Sequence, residues 1–438
     1  MFERGQILRT DPFTFTVGGE PWIDQQWGAQ LLLALAFRGR GWPTMVILRA
    51  ALLSTLSGLI YSTCRRGGAG RRPSAIATIG AFLVAASASG ALALRPQLFG
   101  AVLFAAVNRV LWQRPPSTRA LSWIPGLTVI WANLHGSFPL ALLLCSLVLC
   151  GNLLGGLPVR PMAVTTVVTA AATFASPFGP DAWTYVARIL RHPVVQTLIG
   201  EWKSPDLASP AGIAMIASLI LITALVIRAP RDVPPWVLLQ LLALAALSLR
   251  DQRPMLWWAL AAGPAAAALS RADLPDPTLP RRLAATTVPA SVVALCVLAL
   301  PWWRDWGKAD TRTTLVEAPI GVTAAVQEHT RPGTRLSTSH LWASWFEFAL
   351  PRRPLFVDSR IELFPVQIWR DYITVTFASP GWQDVLRRWH VEAVAASWEQ
   401  QSSLILALRR QPGWAEVYVD DEGAVFLRTS ASAPGRAG

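Results

Sequence analysis

Acidic side chains that could act as a general base are rare in the first three hundred residues. The polar stretch "DPFTFTVGGEPWIDQQWGAQ" at 11–30 carries three of them, Asp11, Glu20 and Asp24. No further acid occurs before Asp181. A carboxylate can accept the proton of a reacting hydroxyl group, so this stretch is the first candidate for chemistry.

A second polar stretch, "GEWKSPD" at 200–206, carries Glu201, Lys203 and Asp206 around a tryptophan. It follows an amphipathic segment, 189–199, that is expected to lie on a membrane surface. Two interpretations remain open. Either these side chains bind substrate and supply a second catalytic carboxylate, or they are ordinary interface residues.

Two shorter motifs carry residues that could bind an anion or a hydroxyl group. "LRPQLF" contains Arg95, and "WANLHGSF" contains Asn133 and His135 at the end of an apolar run. Arg95 could hold the phosphate group of a lipid or could simply extend its charge to the membrane surface. His135 could bind substrate or form an interfacial hydrogen bond.

The motif "FVDSRIELF" places Asp358 and Arg360 just after an expected strand, where site residues often lie in α/β sheets. A buried structural ion pair between them is the favoured alternative.

Several common chemistries are excluded by the absence of their motifs. The chain lacks the sequence patterns of phosphate-binding loops, dinucleotide-binding folds, zinc proteases and serine hydrolases. Its five histidines are scattered, and its four cysteines lie in or beside apolar runs. These positions favour small core residues over a histidine or cysteine metal site.

The elements that must position these residues are membrane helices. The chain is 53% hydrophobic and 15% charged, and apolar runs near the bilayer-spanning length of roughly 20 residues recur along it. The sequence predicts an α-helical polytopic membrane protein with about ten transmembrane helices. The runs are 41–64, 73–94, 97–112, 121–133, 138–154, 162–176, 210–227, 235–249, 255–269 and 283–303.

The charge distribution predicts the orientation of these helices. Residues 1–303 hold 24 basic and 11 acidic side chains, whereas the remainder is balanced at 15 and 15. The excess lies in alternate loops, which are therefore expected to be cytoplasmic: 64–72, 113–119, 228–231 and 271–282. The net charge of +13 thus reflects membrane orientation, and no nucleic-acid partner is expected. The polar stretches and the C-terminal part face outward.

The C-terminal part alternates short strands and helices, which predicts an extracytoplasmic α/β domain over 304–430. Ahead of it we expect an outer loop with an amphipathic helix (1–42) and a transmembrane domain (43–303), and after it a disordered tail (431–438). The expected strands are 335–338, 353–360 and 391–397, with a hairpin over 415–428 turned by Asp-Asp-Glu-Gly. The expected helices are 341–350, 366–377, 382–389 and 402–410.

An ordered set of motifs carries a family resemblance. "GQILRTDPFTFTVGGEPWIDQQW", "RPQLF", "WANLHGSF", "SPFG", "EWKSPD", "FVDSR" and "WAEVYVDDEGAVFLR" follow one another along essentially the whole chain. In this order they resemble a group of bacterial polytopic proteins that is similar to membrane glycosyltransferases of the GT-C superfamily. The resemblance implies transfer of a sugar from a polyprenyl-phosphate carrier to a cell-envelope acceptor at the outer face of the plasma membrane.

The resemblance also implies roles for the polar residues. In such enzymes an aspartate of the first outer loop acts as general base or holds a divalent metal, Mg or Mn. Asp11 and Glu201 are then expected to be catalytic. The expected substrate-binding residues are Arg95, Asn133, His135, Lys203 and Asp206. The expected partners are membrane lipid, a polyprenyl-phosphate-linked sugar and an envelope-assembly protein.

The sequence departs from this pattern in two respects. Related chains have a further span with an aspartate before the opening stretch, and an acid where Gln26 stands here. We therefore expect weak or absent activity from the chain as written. The alternative is a non-catalytic membrane protein that binds lipid-linked glycan or assists an active enzyme. A transporter is disfavoured because the spans carry only Arg49 and Arg109 and no acids.

Overall fold

The computed structural model describes residues 5–88, 90–113, 117–194, 202–228, 233–270 and 318–429. The chain divides into two compact units. The helical unit comprises Met1–Ile7, Asp24–Arg191 and Gln196–Leu300. The α/β unit comprises Leu8–Ile23, His192–Val195 and Pro301–Gly438. The expected span 283–303, the tail 431–438 and Glu201 lie outside the described residues.

The helical unit follows the apolar runs of the sequence. Each of the nine expected spans before 283 contains a helix, and the amphipathic segment predicted near 25–37 forms the first one. The helices are α1 Trp27–Arg40, α2 Trp42–Arg66, α3 Arg71–Ser87, α4 Pro96–Leu111, α5 Thr118–Leu121, α6 Trp123–Leu134, α7 Pro139–Leu154, α8 Arg160–Ala172, α9 Asp181–Arg191, α10 Pro210–Arg228, α11 Pro235–Arg250 and α12 Met255–Leu269.

The number of full-length spans is smaller than the sequence predicts. Among the described residues, only α2 and α10 are long and apolar enough to cross a membrane. Four further apolar helices, α4, α7, α11 and α12, have 10–17 residues. At a rise of about 1.5 Å per residue, such helices fall short of a hydrocarbon core of about 30 Å. The prediction of about ten spans is therefore corrected: several predicted runs, such as 97–112, 138–154, 235–249 and 255–269, were themselves shorter than about 20 residues, and the helices keep those lengths.

Large apolar side chains on the surface of the helical unit face outward from several helices. Five of them on α3, α8, α10 and α11 are between 63% and 69% exposed: Ile76 is 63%, Leu83 66%, Val167 69%, Ile220 63% and Leu242 68%. Contact of this much apolar surface with water is unfavourable, whereas contact with lipid chains is not.

Side-chain contacts group basic loops of the helical unit at one end. Arg66, the last residue of α2, donates from Nη1 to the carbonyl oxygen of Arg109 near the end of α4 at 3.1 Å. Trp112 packs against Gly67, and its ring centroid lies 5.4 Å from that of Trp236 at the start of α11. We call the group of Arg66, Gly67, Arg109, Trp112 and Trp236 the basic end.

The α/β unit contains a four-stranded sheet in the order β1-β2-β4-β3. The strands β1 and β2 are parallel, which requires a crossover connection, and helices supply it. The hairpin β3–β4 forms as predicted. The elements are α13 Ile320–His329, β1 Leu336–Thr338, α14 His340–Ala349, a 3₁₀ turn Ile361–Leu363, α15 Val366–Thr376, α16 Trp382–Arg388, β2 Ala393–Ser397, α17 Trp398–Arg409, β3 Trp414–Val419 and β4 Gly423–Arg428.

The strand expected over 353–360 does not form. Leu355 makes only isolated bridges, with Leu336 on one side and Thr14 on the other. Pro354 lacks an amide hydrogen, and the Asp358 carboxylate accepts the backbone N–H of Arg360 at 2.7 Å, which turns the chain. Strand-like hydrophobicity therefore marks a buried loop at this position.

The segment Leu8–Ile23 packs within the α/β unit through backbone hydrogen bonds with Leu355. The amide of Phe15 donates to the carbonyl of Leu355 at 3.0 Å, and the amide of Leu355 donates to the carbonyl of Phe13 at 2.9 Å. Asp11, on this segment, is therefore a residue of the α/β unit.

Candidate functional site

The turn after α6 is held by the side chain of Asn133. Its Oδ1 accepts a hydrogen bond from Trp27 Nε1 at 3.0 Å. Its Nδ2 donates to the carbonyl oxygens of Val129 and Ala175, each at 2.8 Å. Because both ends of the amide are engaged within the protein, Asn133 fixes this turn against α1 and the segment after α8.

His135, two residues further on, is buried and neutral. The amide of Ser137 donates to His135 Nδ1 at 3.2 Å, so the ring proton lies on Nε2. Burial, followed by the nearby positive charge of Arg253, lowers the pKa of His135 to about 3. At neutral pH this ring can donate one hydrogen bond from Nε2.

The loop between α11 and α12 connects this turn with the "EWKSPD" motif. Arg253, whose charge acts on His135, lies over the Trp202 ring with its guanidinium carbon 5.1 Å from the centroid. The amide of Gln252 donates to the carbonyl of Lys203 at 3.0 Å. Sequence reasoning missed Arg253, which belongs to none of the motifs described above.

The remaining predicted substrate-binding residues occupy exposed positions. Arg95 precedes α4 and packs its guanidinium against Gly90. Lys203 is exposed, and Asp206 is exposed with Oδ1 accepting the amide of Ala208 at 3.0 Å. Gly100, further along α4, lies against His135. The charge of Arg253 thus acts on His135, Arg253 lies over Trp202 next to Lys203, and Gly100 of α4 lies against His135. Glu201 lies outside the described residues.

The start of α1 adds two polar residues to the same turn. Asp24 is 1% exposed and its Oδ1 accepts Gln30 Nε2 at 2.9 Å; Gln25 is 2% exposed. A Cβ atom on Gly28 would lie 2.7 Å from the Asn133 carbonyl oxygen, so glycine permits this close approach. Asp24 is thus buried, although it belongs to a polar stretch of the sequence.

We call this group of residues the polar end: Asp24, Gln25, Asn133, His135, Trp202, Lys203 and Arg253.

Asp11 lies in the α/β unit, where both of its oxygens accept hydrogen bonds. Oδ1 accepts from Phe13 N at 3.1 Å and Arg360 Nη2 at 2.5 Å. Oδ2 accepts from Thr14 N at 3.1 Å and Thr14 Oγ1 at 2.5 Å. Arg360 also forms a bidentate ion pair with Asp358, which is the alternative that the sequence favoured. This environment is that of a structural carboxylate.

The Arg360 guanidinium is also covered by aromatic rings. Its central carbon lies 4.5 Å from the Trp22 ring centroid and 5.0 Å from that of Phe13. Burial alone would lower the pKa of Arg360, but the carboxylates of Asp358 and Asp11 raise it above its usual value. The guanidinium is therefore permanently charged.

Glu347, on α14, completes this cluster. Burial, then the negative charge of Asp358 and a hydrogen bond with it, raises the pKa of Glu347 to about 9. At neutral pH Glu347 is therefore protonated, which spares the cluster a third buried negative charge. The sequence offered one signal for this residue, a single acid between aromatic residues in "WFEFAL".

The donor groups of the described part of the chain do not suit a metal ion. No group of three or more His, Cys, Asp or Glu side chains is arranged there to bind one. In the α/β unit, Arg360 takes the position between the carboxylates that a cation would need.

Comparison with solved structures gives the fold. No family model and no curated protein matches the chain. The apo crystal structure of the Archaeoglobus fulgidus oligosaccharyltransferase matches 99% of this chain and 70% of its own, with a TM-score of 0.53 and 13% identity.

The chain has a fold similar to that of an oligosaccharyltransferase. A second crystal structure of the same archaeal enzyme, tethered to an acceptor peptide containing the NVT sequon, matches 99% of this chain and 69% of its own. Its TM-score is 0.52 and its identity 12%. The predicted architecture, mostly helical with a small sheet in the C-terminal region, agrees with this similarity in fold.

Proposed function

We propose that this protein is a GT-C-like membrane glycosyltransferase. It would move a sugar from a polyprenyl-phosphate donor to a cell-envelope acceptor at the outer face of a bacterial plasma membrane. The observation that carries the proposal is the convergence of polar loops at one end of the helical unit, where Arg253 links His135 to the Lys203 loop. The similarity in fold and the exposed apolar helix surfaces support it.

The charges of the polar end suit a leaving phosphate. In the proposed reaction an acceptor hydroxyl oxygen bonds to the anomeric carbon while the bond from that carbon to the phosphate oxygen breaks. The phosphate departs with the bonding electrons, and cationic side chains stabilise its charge. Arg253 and Lys203 would contact this phosphate, with Arg95 near the start of α4. His135 Nε2 would donate to an oxygen atom of the substrate.

The acceptor hydroxyl needs a base to take its proton. Asp11 and Glu201 are the two carboxylates that the sequence nominates. Because both oxygens of Asp11 already accept hydrogen bonds in the α/β unit, we assign the base to Glu201. A divalent metal, Mg or Mn, does not fit the donor groups of the described residues, so no step is routed through one.

Activity is tested by incubating the purified protein with radiolabelled polyprenyl-phosphate sugars and envelope acceptors, followed by detection of glycosylated product. We expect weak transfer, in keeping with the two departures from the family pattern, with Glu201→Gln lowering the rate by about 10²–10⁴ as is typical for loss of a general base. Asp11→Asn should act through lower stability of the α/β unit and leave the rate per folded molecule unchanged. A rate per folded molecule that falls only for Asp11→Asn would contradict the assignment.

The alternative function is a non-catalytic protein that binds lipid-linked glycan and assists an envelope-assembly enzyme. Binding of the labelled donor without any transfer, in every tested combination, would favour it. Two observations favour this alternative. The Asp11 carboxylate already accepts a hydrogen bond from Arg360, and Gln26 stands where related chains have an acid.

The proposed orientation is tested by reporter fusions. An alkaline phosphatase fused after Arg428 should be active, and a cytoplasmic reporter at the same position should be inactive, because the basic loops are expected to face the cytoplasm. A second fusion at the basic end, within 64–72, should give the reverse pattern. Activity of the cytoplasmic reporter after Arg428 would overturn the orientation.

A further inference from the structure

The side-chain amide of Gln25 is buried without a hydrogen-bond partner. Gln25 is 2% exposed, and within the described part of the chain neither its Oε1 nor its Nε2 contacts a donor or acceptor. A buried amide normally has partners, because it gives up hydrogen bonds to water when it is buried. Among the described residues, the amide of Gln25 therefore keeps hydrogen-bonding capacity that a bound ligand would satisfy.

The side-chain amide of Gln25 lies against Gly136, in the turn after α6. A Cβ atom on Gly136 would lie 2.9 Å from Gln25 Oε1 and 3.5 Å from Tyr185 Cε1. Glycine is therefore needed at 136 for the amide to occupy this position. Gly136 belongs to the same turn as His135, which places Gln25 beside the proposed site.

The start of α1 adds a carboxylate and a helix N-terminus to this amide. Asp24 is 1% exposed and precedes Gln25. Gln26, at the N-cap, makes no side-chain hydrogen bond to the helix, and the first-turn residues Gly28 and Ala29 are buried. Amide N–H groups at such a terminus favour an oxygen atom as partner.

The Asp24 carboxylate, the Gln25 amide and the N–H groups at the start of α1 together offer both hydrogen-bond donors and acceptors to a ligand. The Asp24 carboxylate disfavours an anion, and among the described residues no group of three or more His, Cys, Asp or Glu side chains is arranged to bind a metal cation. A hydroxyl group suits both kinds of partner, because it donates to Asp24 or Gln25 Oε1 and accepts from Gln25 Nε2 or the helix terminus. Neighbouring hydroxyl groups on a sugar ring supply several such groups at fixed spacing.

We propose that Gln25, with Asp24 and the N-terminus of α1, forms a recognition subsite for the hydroxyl groups of a neutral sugar. The subsite rests on the proposed function, since the sugar is the one carried by the polyprenyl phosphate. Gln25 thus determines preference for the sugar, and the cationic residues of the polar end bind the phosphate.

The test compares binding of two lipids to the full chain in detergent. One is bare undecaprenyl phosphate, and the other is a set of undecaprenyl phosphates carrying glucose, mannose, galactose or arabinose. The native protein should bind at least one glycosylated lipid about tenfold more tightly than the bare lipid, the effect of roughly one or two hydrogen bonds. Gln25→Met, of similar size but apolar, should lose this preference and keep its affinity for the bare lipid. Gln26→Met is the matched control and should keep both.

Each outcome distinguishes the subsite from the wider function. An undiminished preference in Gln25→Met, or no preference in the native protein, would overturn the subsite. Lower thermal stability of Gln25→Met with its preference retained would indicate an internal water site, and would also overturn it. A preference that depends on Gln25 without any sugar transfer would support the subsite and contradict the transferase.

Discussion

Replacement of Arg360 by methionine should lower the free energy of unfolding of the α/β unit by about 3–5 kcal/mol. The substitution removes the guanidinium that bridges Asp11 and Asp358, whose side chains are both 0% exposed. Two carboxylates would then be buried without a countercharge. The contacts of the guanidinium with the Trp22 and Phe13 rings would be lost as well. Urea unfolding of the full chain in detergent, followed by pulsed hydrogen exchange of β2 and β4, measures this effect.

Arg387→Met is the matched control for this substitution. Arg387 forms an ion pair with Asp384 on α16, and both side chains are more than 60% exposed. Exposed pairs contribute at most about 1 kcal/mol, so this variant should unfold close to the native midpoint. Equal midpoints for Arg360→Met and Arg387→Met would show that the buried cluster does not hold the N-terminal segment in the α/β unit.

The stability of the α/β unit should fall as the pH rises towards 9, and Glu347→Gln should remove this dependence. Glu347 has an ordinary pKa of 4.5 in the unfolded chain and about 9 in the folded protein, because of burial and then of Asp358. The folded state therefore binds one more proton between these values. Linkage makes the free energy of unfolding decrease with increasing pH, by at most about 1.4 kcal/mol per pH unit, and level off above pH 9.

The measurement is the urea midpoint of β2 and β4 at several pH values from 7 to 9. Over this range His340 adds no slope, because burial lowers its pKa below the usual histidine value. Glutamine at 347 is uncharged and can still donate to Asp358, so its midpoint should stay level. Glu328→Gln changes an exposed glutamate and should keep the native slope. A flat native profile, or one that rises with pH, would show that Glu347 is ionised in the folded protein.

Much of the fold could be predicted from local hydrophobic patterns. Apolar runs marked the helices of the helical unit, and short alternating runs marked β2 and the β3–β4 hairpin. Helix ends were less predictable where a run continued past a turn: the helix in the run 73–94 ends at Ser87. The run at 353–360 was misread because burial of a loop between Leu336 and Thr14 gives the same hydrophobicity as a strand.

The candidate site could be predicted only where a motif marked a helix end. Asn133 and His135 were found in this way. Arg253 and Gln25 were missed because their importance comes from neighbours distant in sequence, Trp202 and Gly136. The partner of Asp11 was missed for the same reason, since Arg360 follows it by 349 residues.

The central claim is that a lipid-linked sugar binds at the polar end of the helical unit. It is tested most directly by a cryo-EM structure of the full chain with a non-hydrolysable polyprenyl phosphonate sugar. We expect the phosphonate beside Arg253 and Lys203, with the sugar within hydrogen-bond distance of Gln25. Phosphonate bound instead beside Arg66 and Arg109 at the basic end, or within the α/β unit, would contradict it.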